Sequence, residues 1–156
     1  MIFDKKIALF HQHAEDRDSA LKMLADEFVK AGVVEENFYD GILAREANFP
    51  TGLALDEENK TGVAIPHTDP EYVKETQLGF MTLDEPVVFR NMGNMEEEVK
   101  VDMMFMMAIK EAHGQVEMLM KLMGLFADDA VISRLREVDN FDDFLKIVED
   151  AGLTLE

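Results

Sequence analysis

Four histidines are the foremost candidates for chemistry in this chain of 156 residues, which has no cysteine. Without Cys there is no thiolate nucleophile, no disulfide and no Cys-type zinc site, so the chemistry falls to imidazole, carboxylate and hydroxyl groups. His11 and His13 follow the first apolar run and share a face at the period of two of an extended chain. That spacing could hold a metal, but no third ligand accompanies it, and the pair reads as solvated. His67 stands in Thr61-Gly62-Val63-Ala64-Ile65-Pro66-His67-Thr68. Pro66 fixes φ and removes a donor, which ends the strand and aims the next side chain. Strand ends of α/β sheets are where ligands and reactive groups collect. A satisfied structural histidine is the competing reading; as chemistry, His67 is the best candidate nucleophile or base. Its best partner is His113, in Glu111-Ala112-His113-Gly114-Gln115, where a long apolar segment gives way to a helix. A helix N-terminus disfavours imidazolium and offers N–H groups to an anion, so the two histidines together suggest a phosphate cradle. The chain has neither the G-x-x-x-x-G-K-[ST] nucleotide loop nor the H-E-x-x-H zinc motif.

The elements that must hold these residues are legible from periodicity. Ile7 to Phe10 reads as a first strand. Ser19 to Gly32 has Leu21, Leu24 and Phe28 at helical spacing, with Asp18 or Ser19 as N-cap and Gly32 as the stop. Glu35 to Glu46 predicts a second helix with Phe38, Ile42 and Leu43 on one face. Leu53 to Leu55 is a candidate strand, Asp56 to Lys60 a loop, and Gly62 to Ile65 a buried strand. Gln77 to Leu83 and Val87 to Arg90 read as two further strands before the turn Asn91 to Asn94. Val99 to Ile109 is apolar on both faces and so predicts a central strand. Three helices follow, one through Val116 to Phe126, then Ala130 to Val138 and Phe141 to Ala151, with Asp128 and Asn140 at N-cap positions. Most of the 12 methionines fall at core spacing and read as adaptable packing. The expectation is an α/β (α+β-like) fold: one layered domain over residues 1–156, with a mixed β-sheet flanked by helices and three helices at the C-terminal end.

Charge narrows the partners. A net charge of −18 opposes binding to nucleic acid and to anionic membrane surfaces, both of which call for Lys and Arg, and favours encounters with basic protein partners. The N-terminal MIFDKKIALFHQH lacks an apolar core and a cleavage site, and the longest apolar run is short of a membrane span, so a cytoplasmic protein is expected.

The segment Gly62-Val63-Ala64-Ile65-Pro66-His67 resembles the active-site stretch of the enzyme IIA components of the bacterial sugar phosphotransferase system, in the fructose–mannitol superfamily. Arg45-Glu46, Thr51-Gly52 and the later His113, heading a helix with Leu119 and Leu122, follow that family's order, and the resemblance runs from about residue 3 to 150. Most members carry Gly after the histidine. Thr68, with Asp69 to Val73 and the entry Phe49 to Leu53, looks most like the galactitol-specific branch, while Asp56 to Lys60 lengthens the usual connection. The resemblance implies a phosphocarrier whose His67 takes a phosphoryl group from phospho-HPr and passes it to a cysteine of a separate enzyme IIB, in association with the membrane permease enzyme IIC. It implies no cofactor and no metal. His113 would stabilise the phosphoryl group or fix the His67 tautomer, Arg45 would pair with the phosphoryl oxygens, and Thr51 and Thr68 would add hydroxyl support. A regulatory protein, whose phosphorylation state controls binding to a kinase, transporter or transcription factor, is the alternative that the resemblance also admits.

Overall fold

The computed structural model describes residues 2–153. Its elements run β1 (Ala8–Gln12), α1 (Arg17–Lys30), α2 (Phe38–Asn48), β2 (Gly52–Asp56), β3 (Thr61–Ala64), β4 (Gln77–Asn91), β5 (Asn94–Ala108), α3 (Ala112–Phe126), α4 (Asp129–Glu137) and α5 (Phe141–Asp150). β1 pairs parallel with β4, β4 antiparallel with β5, β5 parallel with β3, and β3 antiparallel with β2. β2 then meets the far end of β4, where Gly52 stands opposite Asn91, so the pairings of β4, β5, β3 and β2 close on themselves. This is the mixed sheet expected from the sequence, with helices on both faces. Leu21, Leu24 and Phe28 of α1 and Phe38 and Ile42 of α2 pack on Met81, Met104 and Met106. Leu122 and Phe126 of α3, Leu135 of α4 and Phe144 of α5 pack on Phe80, Met103 and Phe105 of the other face. There the Phe144 ring stacks on Phe80 with centroids 4.4 Å apart and takes the edge of Phe3 at 5.4 Å.

Burial on both faces explains the unbroken apolar run at the end of β5, which lies between β4 and β3. Its facing changes at a bulge: Gly62 pairs with Val101 but Val63 with Met103, leaving Asp102 as the extra residue. Val99 and Val101 face α1 and α2 before it, and Met104, Met106 and Ala108 after it. The Asp102 carboxylate accepts two hydrogen bonds from Arg136 Nε of α4, at 3.1 and 3.3 Å.

Three sequence expectations need correction. Gln77 to Arg90 is one strand, because the chain bulges across Leu83 to Pro86 and resumes pairing at Val87; Pro86 has no N–H for the ladder, but the pairing with β5 recovers beyond it. The N-cap of α1 is Asp16, whose carboxylate accepts from the Ser19 amide at 2.8 Å, so Ser19 is the capped donor rather than the cap. The second helix starts at Phe38 because Glu35 first donates its amide to the Tyr72 carbonyl and Val34 bridges Val73. The stops and caps at Gly32 (φ 75°), Asp128 and Asn140 are as read from the sequence.

The glycine in Thr61-Gly62-Val63 has a steric reason. A Cβ on Gly62 would lie 1.7 Å from the Leu53 carbonyl oxygen and 2.8 Å from its carbon, both backbone atoms of the paired strand β2. Gly62→Ala therefore has to push β2 off β3, and a stability loss of about 3 kcal/mol is expected, read as a lower urea midpoint at unchanged slope. A wild-type midpoint would mean that the hairpin yields at no cost.

Candidate active site

β3 delivers His67 to the site. After Ala64 the chain stays extended beside β5: the Ile65 amide donates to the Thr51 carbonyl at 3.3 Å, the Met107 amide donates to the Pro66 carbonyl at 2.9 Å, and His67 bridges Met107 in parallel. Pro66, having no N–H, engages the ladder through its carbonyl alone. Beyond His67, Thr68 is buried, and its carbonyl accepts from Gln115 Nε2 of α3 at 2.8 Å. The His67 segment is thus tied to Thr51 at the entry to β2, to β5 and to α3 within four residues.

The imidazole of His67 is partly buried, and its Nδ1 lies 2.9 Å from the carbonyl oxygen of Ile65. A carbonyl can only accept, so in the neutral ring Nδ1 carries the proton and Nε2 keeps its lone pair. Burial lowers the pKa of His67 below its ordinary 6.5, with the Arg45 charge acting in the same direction; the Ile65 bond and Asp69 oppose them. Burial thus favours the neutral ring, with the proton on Nδ1 and the lone pair on Nε2.

Arg45 comes from the last turn of α2. Its guanidinium lies 3.6 Å from the Asp69 carboxylate and 4.5 Å above the Phe49 ring, while among the described residues its buried Nε has no hydrogen-bond partner. That N–H is a donor Arg45 can still offer. Arg45, Asn48, Phe49, Thr68, Asp69 and Tyr72 line a cleft of 200 Å³. Gly41 allows its walls to approach: a Cβ there would stand 2.9 Å from both the Thr68 hydroxyl and the Tyr72 ring. A larger depression of 830 Å³, lined by Glu35, Glu36 and Glu71 against the cation Lys74, has the wrong net charge for an anion.

The other sequence candidates are placed less simply. His113 sits in the first turn of α3, the turn that Gln115 ties to Thr68, but its side chain is 84% exposed and its Nε2 lies 2.8 Å from Glu117. Among the described residues no hydrogen bond or ion pair joins it to His67. The Thr51 hydroxyl donates to Glu46 at 2.8 Å, which commits its proton away from a bound anion. Thr68 lies beside the cleft with its hydroxyl against Gly41. His13 is exposed between Glu15 and Asp84, and Asp84 raises its pKa; His11 takes a left-handed φ of 50° and donates its amide to Thr82. Asp69, Gln115 and the buried Glu46 escaped the sequence reading as site residues. Glu46 adjoins Arg45 in the quoted pair, and an isolated Gly41 within a helix signals a close approach.

With this geometry in place, comparison with known proteins decides the family. Residues 1–151 match the family described as "Phosphoenolpyruvate-dependent sugar phosphotransferase system, EIIA 2". The chain belongs to that family. The ascorbate-specific EIIA component of Salmonella typhimurium is 32% identical to this EIIA over 132 residues, covering 83% of this chain and 80% of that one. The galactitol-specific EIIA component of Escherichia coli K12 is 25% identical over 120 residues, covering 77% of each. Among solved structures, mannitol IIA of Escherichia coli superposes with a TM-score of 0.73 at 24% identity, covering 90% of this chain and 94% of that one. The same likeness, TM-score 0.71 at 24% identity over 91% of this chain and 94% of that one, holds for the mannitol enzyme IIA solved in complex with phosphorylated enzyme IIB. The resemblance read from the sequence is thus correct as to family and fold. The galactitol character shares its support with ascorbate-specific relatives.

Proposed function

We propose that this EIIA is a phosphocarrier that accepts a phosphoryl group from phospho-HPr on Nε2 of His67 and passes it to the cysteine of a sugar-specific enzyme IIB. The observation that carries this is the Nδ1–Ile65 hydrogen bond, which puts the ring proton on Nδ1 and leaves the lone pair on Nε2, with the Arg45 charge close enough to bear on the ring. In the first step the Nε2 lone pair forms a bond to phosphorus while the P–N bond of the donor breaks and its electron pair returns to the donor imidazole. His67 keeps its Nδ1 proton, so the ring becomes cationic as the phosphoryl group arrives, and its bond to Ile65 O strengthens. In the second step a thiolate of enzyme IIB attacks phosphorus, and the electrons of the Nε2–P bond return to the ring. The donor is already activated, so the protein contributes positioning and charge stabilisation. Arg45 supplies the charge, with Thr68 beside it. His113 serves the phosphoryl group by exchanging Glu117 for it once the anion is in place.

The mannitol complex with enzyme IIB supports a IIB protein as acceptor. A galactitol-type permease, including its membrane component enzyme IIC, is the system proposed, with the ascorbate type favoured by the 32% identical relatives as the second reading. Among the described residues no helix is long and apolar enough to cross a membrane, which suits a protein working in the cytoplasm beside its permease.

The depressed pKa of His67 predicts the pH profile. The neutral ring is the reactive form and persists below pH 6.5, so the initial rate of phosphoryl uptake from pre-formed phospho-HPr should stay level from pH 8 to 6.5 and fall only at lower pH. Rapid-quench rates across this range, with donor hydrolysis measured alongside, test it. A rate that already halves above pH 6.5 would contradict the assignment of a desolvated His67 as nucleophile. Chasing the label into galactitol- and ascorbate-type IIB proteins then separates the two transport readings. No transfer to any IIB from a labelled protein would favour the regulatory reading.

A further inference from the structure

Glu46 is buried to 2% exposure and has no part in the steps above. One of its carboxylate oxygens accepts from the Thr51 amide at 2.6 Å and the other from the Thr51 hydroxyl at 2.8 Å. The Thr51 carbonyl in turn accepts from the Ile65 amide at 3.3 Å, and the Ile65 carbonyl accepts from His67 Nδ1 at 2.9 Å. We infer that Glu46 is a positioning residue for phosphoryl transfer: through Thr51 and Ile65 it fixes the carbonyl that holds the proton on Nδ1 and leaves Nε2 free to attack. The inference rests on the reading of His67 as the phosphoryl acceptor.

A buried carboxylate is an expensive way to close the turn between α2 and β2, since an ionised group loses its hydration there. What it supplies is two acceptors on one rigid group, enough to hold both the amide and the hydroxyl of one residue. That grip holds Thr51, whose carbonyl passes the chain of bonds on to the Ile65 amide at the strand end. It also sets the end of the helix that carries Arg45, the neighbouring residue, against the segment that carries His67. The ring becomes cationic only as phosphorus bonds to Nε2, so the Ile65 carbonyl counts for more in the transition state than in the resting protein. Loosening the frame should therefore lower kcat and leave KM for the donor unchanged.

The test combines two readouts on the full chain. Imidazole 15N shifts of unphosphorylated His67 report the tautomer, and steady-state transfer from phospho-HPr reports kcat and KM. In the wild type, Nδ1 should be pyrrole-like and Nε2 pyridine-like. Glu46→Ala should give a mixture of tautomers and a kcat lower by about 10- to 100-fold at unchanged KM, the range typical when an outer-shell partner is lost. Glu46→Gln should recover most of both, because the amide oxygen can take the Thr51 N–H while the Thr51 hydroxyl turns to accept from the amide NH₂. Thr51→Val keeps the shape and the amide bond, should fall between the two, and decides the matter if Glu46→Ala does not fold. A folded Glu46→Ala, or Thr51→Val in its place, with the wild-type tautomer and kcat would overturn the inference while leaving His67 as acceptor. A wild-type protein that takes no phosphoryl group on His67 would overturn both, and the two failures are told apart by the wild-type label alone.

Discussion

Replacing His67 by alanine is expected to leave the protein folded and to reduce phosphoryl acceptance to background. The side chain stands past the end of β3, where Ile65, Pro66 and Met107 are held by backbone bonds that alanine retains. What the variant loses in stability is one hydrogen bond to the Ile65 carbonyl and the contacts of a partly buried ring, on the order of 1 kcal/mol. What it loses in chemistry is the imidazole whose proton is held on one nitrogen and whose lone pair is on the other. His113, exposed and joined to Glu117, has no such arrangement and cannot substitute. Far-UV circular dichroism and a urea midpoint check the fold, and acid-labile label after incubation with phospho-HPr checks the chemistry. A folded variant that still labels at the wild-type rate would move the acceptor elsewhere.

The second large effect is expected at Arg45. Among the described residues its buried Nε has no acceptor, its guanidinium is braced by Phe49 and Asp69, and its field already bears on His67. A phosphoryl group on His67 would be the anion that this charge meets. Removing a preorganised donor from developing charge typically slows a reaction by 10²–10³-fold, and Arg45→Ala should lower the rate of transfer by about that factor. Arg45→Lys should recover little of it. An ammonium offers a single point of charge, whereas the guanidinium presents a planar fork that stacks on Phe49 and reaches Asp69 and the anion at once. Rapid-quench transfer rates for both variants, measured with the donor saturating, separate this from weaker donor binding. A lysine variant as fast as the wild type would reduce the role of Arg45 to charge alone.

How far the sequence announced this site depends on the kind of interaction involved. Helices α1, α4 and α5 were legible because their caps and apolar spacing are local, and β3 because Pro66 ends it; even so, local signals placed the α1 cap at Asp18 or Ser19 instead of Asp16. That His67 stands just past a strand end was legible from the proline before it. The tautomer was not, since it depends on where the ring turns relative to the Ile65 carbonyl. The sequence points to both Thr51 and Arg45, but the commitment of the Thr51 hydroxyl to Glu46 is a contact across a turn that spacing cannot predict. The bulge over Leu83 to Pro86 was read as a break between strands, because Pro and two charges look alike in a loop and in an interrupted ladder; only the pairing of Val87 with Val101 decides it. His113 was expected beside His67 on the strength of its helix start, yet the rotamer that joins it to Glu117 is a side-chain choice between solvent-exposed partners.

Intact-protein mass spectrometry after incubation with phosphoenolpyruvate, enzyme I and HPr tests the central claim most directly. One added phosphoryl group, lost on brief acid treatment and mapped by fragmentation at neutral pH to His67, is the predicted result. A folded protein that gains no mass beside a control carrier that does, or that gains an acid-stable group at another residue, would contradict it.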